Sequence, residues 1–234
     1  MPDSYWFTYH HLITLSLSIH SKEYDLHGID LDAFYPTTLE QYKNYETFVR
    51  HASNVWHKNK IKLSVTWSLH RTPLPKSIFS LVDRINLMAY DLLTTQNTYH
   101  GAFELVEKSV ETLLKQGCPP EKIWIGIPCY ARGLKDPERV ATFESIYNEL
   151  LSLGDGKFDF EKTYSHNGLE WDSRERIREK VGYAHTKRLG GTFLWELGQD
   201  YQDKRKAPGG VLLEAASMHR KELLENSKSR TDEL

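Results

Sequence analysis

Five short apolar runs, at residues 26–33, 61–69, 85–91, 122–130 and 191–196, alternate along the chain with helix-length amphipathic stretches. No two-residue turn signal such as Asn-Gly joins one run directly to the next. Antiparallel strands can be joined by a tight hairpin, whereas parallel strands need a longer crossover, usually a helix. The alternation therefore predicts an α/β fold of parallel βα units, which a doubly wound sheet and a TIM barrel both satisfy. The dinucleotide-binding form of the wound sheet lacks support, because no Gly-x-Gly-x-x-Gly follows any run.

The helical stretches carry ordinary start and stop signals. Residues 38–58 place Leu39, Tyr42, Tyr45, Phe48, Val49 and Ala52 near a 3.6-residue period. Thr37 or Thr38, with Glu40 or Gln41 after it, can cap that helix. Further helices are expected at 7–22, 75–82, 101–115, 143–153, 173–187 and 209–226, with Gly117 and Pro119 closing the one at 101–115. Residues 134–170 read as less regular, with a helix at 143–153, a turn at 154–156 and a polar stretch. With 234 residues and 39% hydrophobic content, the expectation is one domain over residues 1–226 and a flexible tail at 227–234.

A net charge of -2 with charges of mixed sign gives no reason to expect nucleic acid or an anionic membrane as partner. The apolar stretch at residues 12–19 is too short for membrane insertion and lacks a basic leader and a cleavage site. The last four residues, Thr-Asp-Glu-Leu, differ only at the first position from the endoplasmic-reticulum retention tetrapeptide. They fit either that signal or an acidic helical tail. Localisation in the secretory pathway, the endoplasmic reticulum or outside the cell is the expectation for the full-length protein. Cys118 and Cys129 lie at opposite ends of the 122–130 run and are expected as two free thiols. His10 and His11 read as solvated, and neither a metal nor a cofactor is expected.

The chemistry concentrates in residues 27–36. Strand alternation puts Gly28, Asp30, Asp32 and Phe34 on one face, and Ile29, Leu31 and Ala33 on the other. The two carboxylates are then about 6.6 Å apart along the strand. Like charges at such spacing raise one pKa and favour a shared proton. The simpler use of the pair is to cap backbone at a strand end.

Four stretches, in order, resemble glycoside hydrolase family 18, the chitinases and chitinase-like lectins. The family strand motif D-G-x-D-x-D-x-E-Y-P is matched by His27, Gly28, Asp30, Asp32, Phe34, Tyr35 and Pro36. Residues 88–91 (MAYD) resemble M-x-Y-D at the sixth barrel strand, and 126–132 (GIPCYAR) resemble G-x-P-x-Y-G-R at the seventh. Residues 190–200 (GGTFLWELGQD) resemble the eighth strand. The resemblance covers residues 10–220 and implies a partial (β/α)8 TIM barrel holding strands four to eight.

The resemblance also implies roles. In the family the substrate's own N-acetyl oxygen is the nucleophile, in a retaining, substrate-assisted reaction. Asp32 would orient the acetamide, Asp30 would tune Asp32, and Tyr90 would hold the acetamide. Asp91, Tyr130, Arg132 and Trp195 would bind substrate, with Trp195 stacked on a sugar face. The implied partner is chitin or another N-acetylglucosamine-containing glycan.

Two departures qualify this. Phe34 stands where the family has its proton-donating glutamate, and a phenyl ring has no proton to give. Only about 25 residues precede the strand that matches the fourth of the family, whereas one βαβ unit takes about 30 residues. The first three βα units are therefore expected to be missing, as in an incomplete gene model. The sequence favours a chitinase-like protein without hydrolytic activity. Its alternatives are a glycosidase in which another acid, such as Asp91, replaces the glutamate, and a decayed barrel with an interaction role in the endoplasmic reticulum.

Overall fold

The computed structural model describes residues 3–32, 36–91, 100–154, 158–202 and 210–232. In chain order it contains α1 (Asp3–Glu23), β1 (Gly28–Leu31), α2 (Leu39–Lys58), β2 (Lys62–Trp67), α3 (Ile78–Leu81), β3 (Arg84–Leu87) and α4 (Phe103–Lys115). These are followed by β4 (Ile123–Pro128), β5 (Tyr130–Gly133), β6 (Val140–Thr142), α5 (Phe143–Ser152), β7 (Ser165–His166), β8 (Leu169–Glu170), α6 (Arg174–Thr186), β9 (Gly191–Trp195) and α7 (Val211–Asp232). The five predicted runs correspond to β1, β2, β3, β4 and β9. The chain divides into two compact units, residues 1–87 with 110–123, and residues 88–109 with 124–234.

In the first unit β1, β2 and β3 lie side by side in parallel, with Asp30 opposite Ser64 and Thr66 opposite Asn86. Alternation then sorts the two faces. Leu31, Leu63, Val65, Trp67, Ile85 and Leu87 form a buried apolar face, while Asp30, Ser64, Thr66, Arg84 and Asn86 share the polar one. Helix α2 buries Tyr45, Phe48, Val49, Ala52 and Trp56, and contacts β2. Its start carries the expected capping box, built from Thr38 and Gln41. The Trp56 ring is fully buried, and its Nε1 donates to Ser18 Oγ at 3.1 Å and to the Thr14 carbonyl at 3.3 Å in α1. Helix α1 therefore turns Thr14, Ser18 and Ser21 inward and leaves Leu12, Leu15 and Ile19 exposed.

In the second unit β4 and β9 pair in parallel, Ile127 opposite Leu194 and Pro128 opposite Trp195. The run at 122–130, expected as one strand, is divided at Cys129. Its last part joins β5, which belongs to a separate antiparallel sheet of order β6-β5-β8-β7. Strands β7 and β8 form a hairpin whose turn residues, Asn167 and Gly168, have φ of 49° and 75°. Positive φ at both central positions is what a type I′ turn requires, and Asn-Gly is the pair best suited to it. Residues 134–170 thus hold, besides the expected helix, three short strands that the sequence pattern did not indicate. Two-residue strands are too short to show the alternation by which a strand is read.

Buried side chains from β4, β5, α5, α6 and α7 form the core of this unit, among them Ile127, Ala131, Phe143, Ile146, Trp171, Ile177, Val181 and Leu212. Helix α6 starts at the Ser173 cap, whose hydroxyl accepts from the Arg176 N–H. An ion pair between Lys180 and Asp172 lies inside the unit, with side chains 1% and 0% exposed. The Asp200 carboxylate accepts the Leu212 and Leu213 N–H groups at the start of α7, each at 3.0 Å. A Cβ at Gly210 would collide with that carboxylate, so the turn into α7 needs glycine there. Helix α7 continues to Asp232, past the residue 226 at which the sequence pattern loses its period.

Cys118 and Cys129 are both free and buried. Burial pushes the Cys118 thiol up to about 12 and raises Cys129 as well, which leaves both poor nucleophiles. Among the described residues no helix is long and apolar enough to cross a membrane.

Candidate functional site

The sequence-predicted residues fall into two constellations, one in each unit. Phe34 is not among the described residues, nor are its neighbours Ala33 and Tyr35. Its identity comes from the sequence alone.

In the first unit Asp30 is the hub of the polar face. Its Oδ1 accepts from Ser64 Oγ and from Asn86 Nδ2 at 2.7 Å, and its Oδ2 accepts from Thr66 Oγ1 at 2.8 Å. Arg84, in turn, donates to the side-chain oxygen of Asn86. Parallel register explains the convergence, because Ser64 and Asn86 belong to successive rows on the same face as Asp30. Asp32 follows one step beyond the end of β1. Burial and then the Asp30 charge raise its pKa, against an opposing pull from Arg71.

In the second unit Asp91 is held by three donors. Arg132 Nε lies 2.7 Å from Oδ1, His100 Nδ1 lies 3.1 Å from Oδ1, and the Tyr130 hydroxyl donates to Oδ2 at 2.8 Å. Burial alone would raise this carboxyl, but the hydrogen bonds from His100, Arg132 and Tyr130 outweigh it and bring the pKa down to about 2. The Asp91 backbone has φ 57°, in the left-handed region that non-glycine residues seldom occupy. Such a residue persists where its surroundings fix it, and three hydrogen bonds do so here.

Tyr90 is 6% exposed and meets Tyr130 edge-on, with ring centroids 6.2 Å apart. Arg132 also donates to the Pro137 carbonyl at 2.6 Å, which anchors the guanidinium from its other side. Trp195 ends β9 beside Pro128, and its carbonyl accepts the Cys129 N–H at 2.8 Å. Its side chain is half exposed, at 50%, and is thus open to a flat partner. The sequence reading brought Tyr90, Asp91, Tyr130 and Arg132 into play from two separate motifs, and these side chains meet. It missed His100, which is nine residues from Asp91 and belongs to no motif considered. It also missed Ser64, Thr66 and Asn86, although polar residues recurring at every second position of apolar strands were a readable signal. Among the described residues no group of three or more His, Cys, Asp or Glu could hold a metal ion.

Residues 9–200 match the profile of the Glycosyl hydrolases family 18. The chain is 28% identical over 163 residues to Nod factor hydrolase protein 1 of Medicago truncatula, covering 54% of this chain and 42% of that protein. It is 22% identical over 241 residues to probable chitinase 2 of Drosophila melanogaster, covering 76% and 48% respectively. The chain thus spans about half the length of the curated relatives it matches. Among solved structures, the GH18 chitinase ChiB of Flavobacterium johnsoniae superposes with a TM-score of 0.70 at 25% identity, over 90% of this chain and 65% of ChiB. A Cycas revoluta GH18 chitinase mutant in complex with (GlcNAc)4 gives a TM-score of 0.72 at 20% identity, over 92% of this chain and 73% of its own. The α/β fold is that of part of the TIM barrel of these chitinases, as the family resemblance implied. Fold, motif order and profile agree, and the chain belongs to glycosyl hydrolase family 18.

Proposed function

We propose that this protein binds N-acetylglucosamine-containing glycans of the chitin type and does not hydrolyse them. The observation that carries the reading is the contrast between an assembled Asp91–Tyr130–Arg132 cluster and a phenylalanine at the position of the general acid. The cluster presents a fixed carboxylate, a guanidinium and phenol rings, while Trp195 offers an aromatic face of the kind that stacks on sugars. The fold is shared with Cycas revoluta chitinases solved in complex with (GlcNAc)3 and (GlcNAc)4, which supports a chito-oligosaccharide as ligand.

The alternative, a glycosidase that uses Asp91 as its acid, is disfavoured by the same cluster. A carboxyl with a pKa of about 2 is ionised near neutral pH and has no proton to deliver to a leaving oxygen. In the proposed reading Asp91 is an acceptor for sugar hydroxyl or amide hydrogen, and Asp30 and Asp32 keep an orienting role without a proton donor beside them.

Titration of the protein with (GlcNAc)4 in a calorimeter should show saturable binding, and a fluorogenic chitobioside should be released no faster than in buffer. Turnover of the chitobioside that is well above that of a Phe34→Ala variant would overturn the non-hydrolytic reading. Heat signals that fail to saturate would overturn the binding one.

A further inference from the structure

We infer that His100 is a positioning residue that commits Asp91 to offering its Oδ2 edge to a glycan donor. The inference rests on the proposed reading of Asp91 as a glycan acceptor, and it concerns which of the two carboxylate oxygens does the accepting.

An ionised carboxylate has about four acceptor positions, two on each oxygen. Arg132 Nε and His100 Nδ1 both donate to Oδ1, at 2.7 and 3.1 Å, and so fill it. The Tyr130 hydroxyl takes one position on Oδ2, at 2.8 Å. Among the described residues, the acceptor position left over is therefore the second one on Oδ2. Without His100, an open position would exist on each oxygen, and a sugar hydroxyl could be taken in either of two orientations. His100 thus decides the register in which a glycan meets the carboxylate.

Three features fit His100 for that task. Its side chain is 1% exposed, so it reaches a glycan only through Asp91 and not by direct contact. A carboxylate only accepts, so Nδ1 must carry the hydrogen in this hydrogen bond. Its ring also lies against that of Tyr130, with centroids 5.1 Å apart and planes inclined at 36°, so one side chain braces both the acceptor and a neighbouring donor. The charged and titratable groups gathered on Asp91 are Arg132, Tyr130 and His100, with Tyr90 against the Tyr130 ring.

Two variants separate positioning from packing. His100→Phe keeps a ring against Tyr130 but has no donor, and His100→Asn places an amide N–H close to the position of Nδ1. Affinity for (GlcNAc)4 should fall by up to about tenfold in His100→Phe, because a carboxylate no longer held in one orientation loses part of the glycan's own hydrogen bond to Oδ2. It should recover most of that loss in His100→Asn. The carboxyl of Asp91, followed by carbon-13 NMR, should titrate near pH 2 in the wild type and clearly higher in His100→Phe. Unchanged affinity and an unmoved Asp91 titration in His100→Phe would overturn the inference while leaving the glycan reading intact. Absence of (GlcNAc)4 binding by the wild type would instead overturn the glycan reading, and the offered edge with it.

Discussion

Replacing Phe34 by glutamate should raise release of a fluorogenic chitobioside from background by about 10²- to 10⁴-fold, the range over which a positioned general acid acts. The substitution restores a carboxyl two residues after Asp32 in the family's strand motif. Asp32 is already disposed toward the protonated form by burial and by the Asp30 charge. Asp30 is in turn secured by hydrogen bonds from Ser64, Thr66 and Asn86, so the aspartate half of the motif is organised whatever stands at position 34. Phe34→Gln is the proper control, since it brings similar size and polarity but no transferable proton. A glutamate variant no faster than the glutamine variant would show that more than the acid has been lost.

The largest effect on stability should come from Lys180→Ala, at about 3–5 kcal/mol of unfolding free energy. Lys180 and Asp172 are both removed from water, and deleting the cation leaves its partner carboxylate buried without its counter-charge. Most of the loss measured in such a variant reflects that stranded charge and not the strength of the pair. The double variant Lys180→Met/Asp172→Asn should accordingly recover much of the stability, because it removes both charges at similar volume. Urea unfolding followed by tryptophan fluorescence measures all three proteins. A loss below about 1 kcal/mol in Lys180→Ala would mean that water reaches Asp172 and the pair is not sealed.

The parallel βα architecture was legible because it is written in periods that span many residues. The 3.6-residue pattern of α2 and the apolar runs of β2 and β4 persist long enough to be read, and the Thr38 and Ser173 caps sit where the chemistry of helix starts requires them. The small antiparallel sheet was not legible from periodicity, since β7 and β8 carry two residues each. Its one local signal, Asn167-Gly168, lies between strands too short to be recognised beside it. The division of the fourth run at Cys129 has a similar cause. Residues 123–133 are almost continuously buried, so nothing in their hydrophobicity marks the point where the chain passes from one sheet to the other.

The candidate site divides along the same line. Asp91, Tyr130 and Arg132 stand in motifs whose spacing survives in one dimension. His100 meets Asp91 only because the chain returns to it, and a lone histidine followed by glycine gives no hint of that return. The donors of Asp30 depend on register between strands, which neighbouring residues in sequence do not specify.

Helix α1 has a practical consequence. Leu12, Leu15 and Ile19 are 56%, 53% and 56% exposed, at spacings that place them along one side of the helix. Dyes such as ANS, which brighten on apolar surface, are commonly used to diagnose loosened packing. With this protein such a dye should fluoresce on the fully folded state, and the signal should drop when the three residues are exchanged for glutamine. Dye emission is therefore a poor gauge of misfolding here, and near-ultraviolet dichroism of the buried Trp56 and Trp67 is the sounder one.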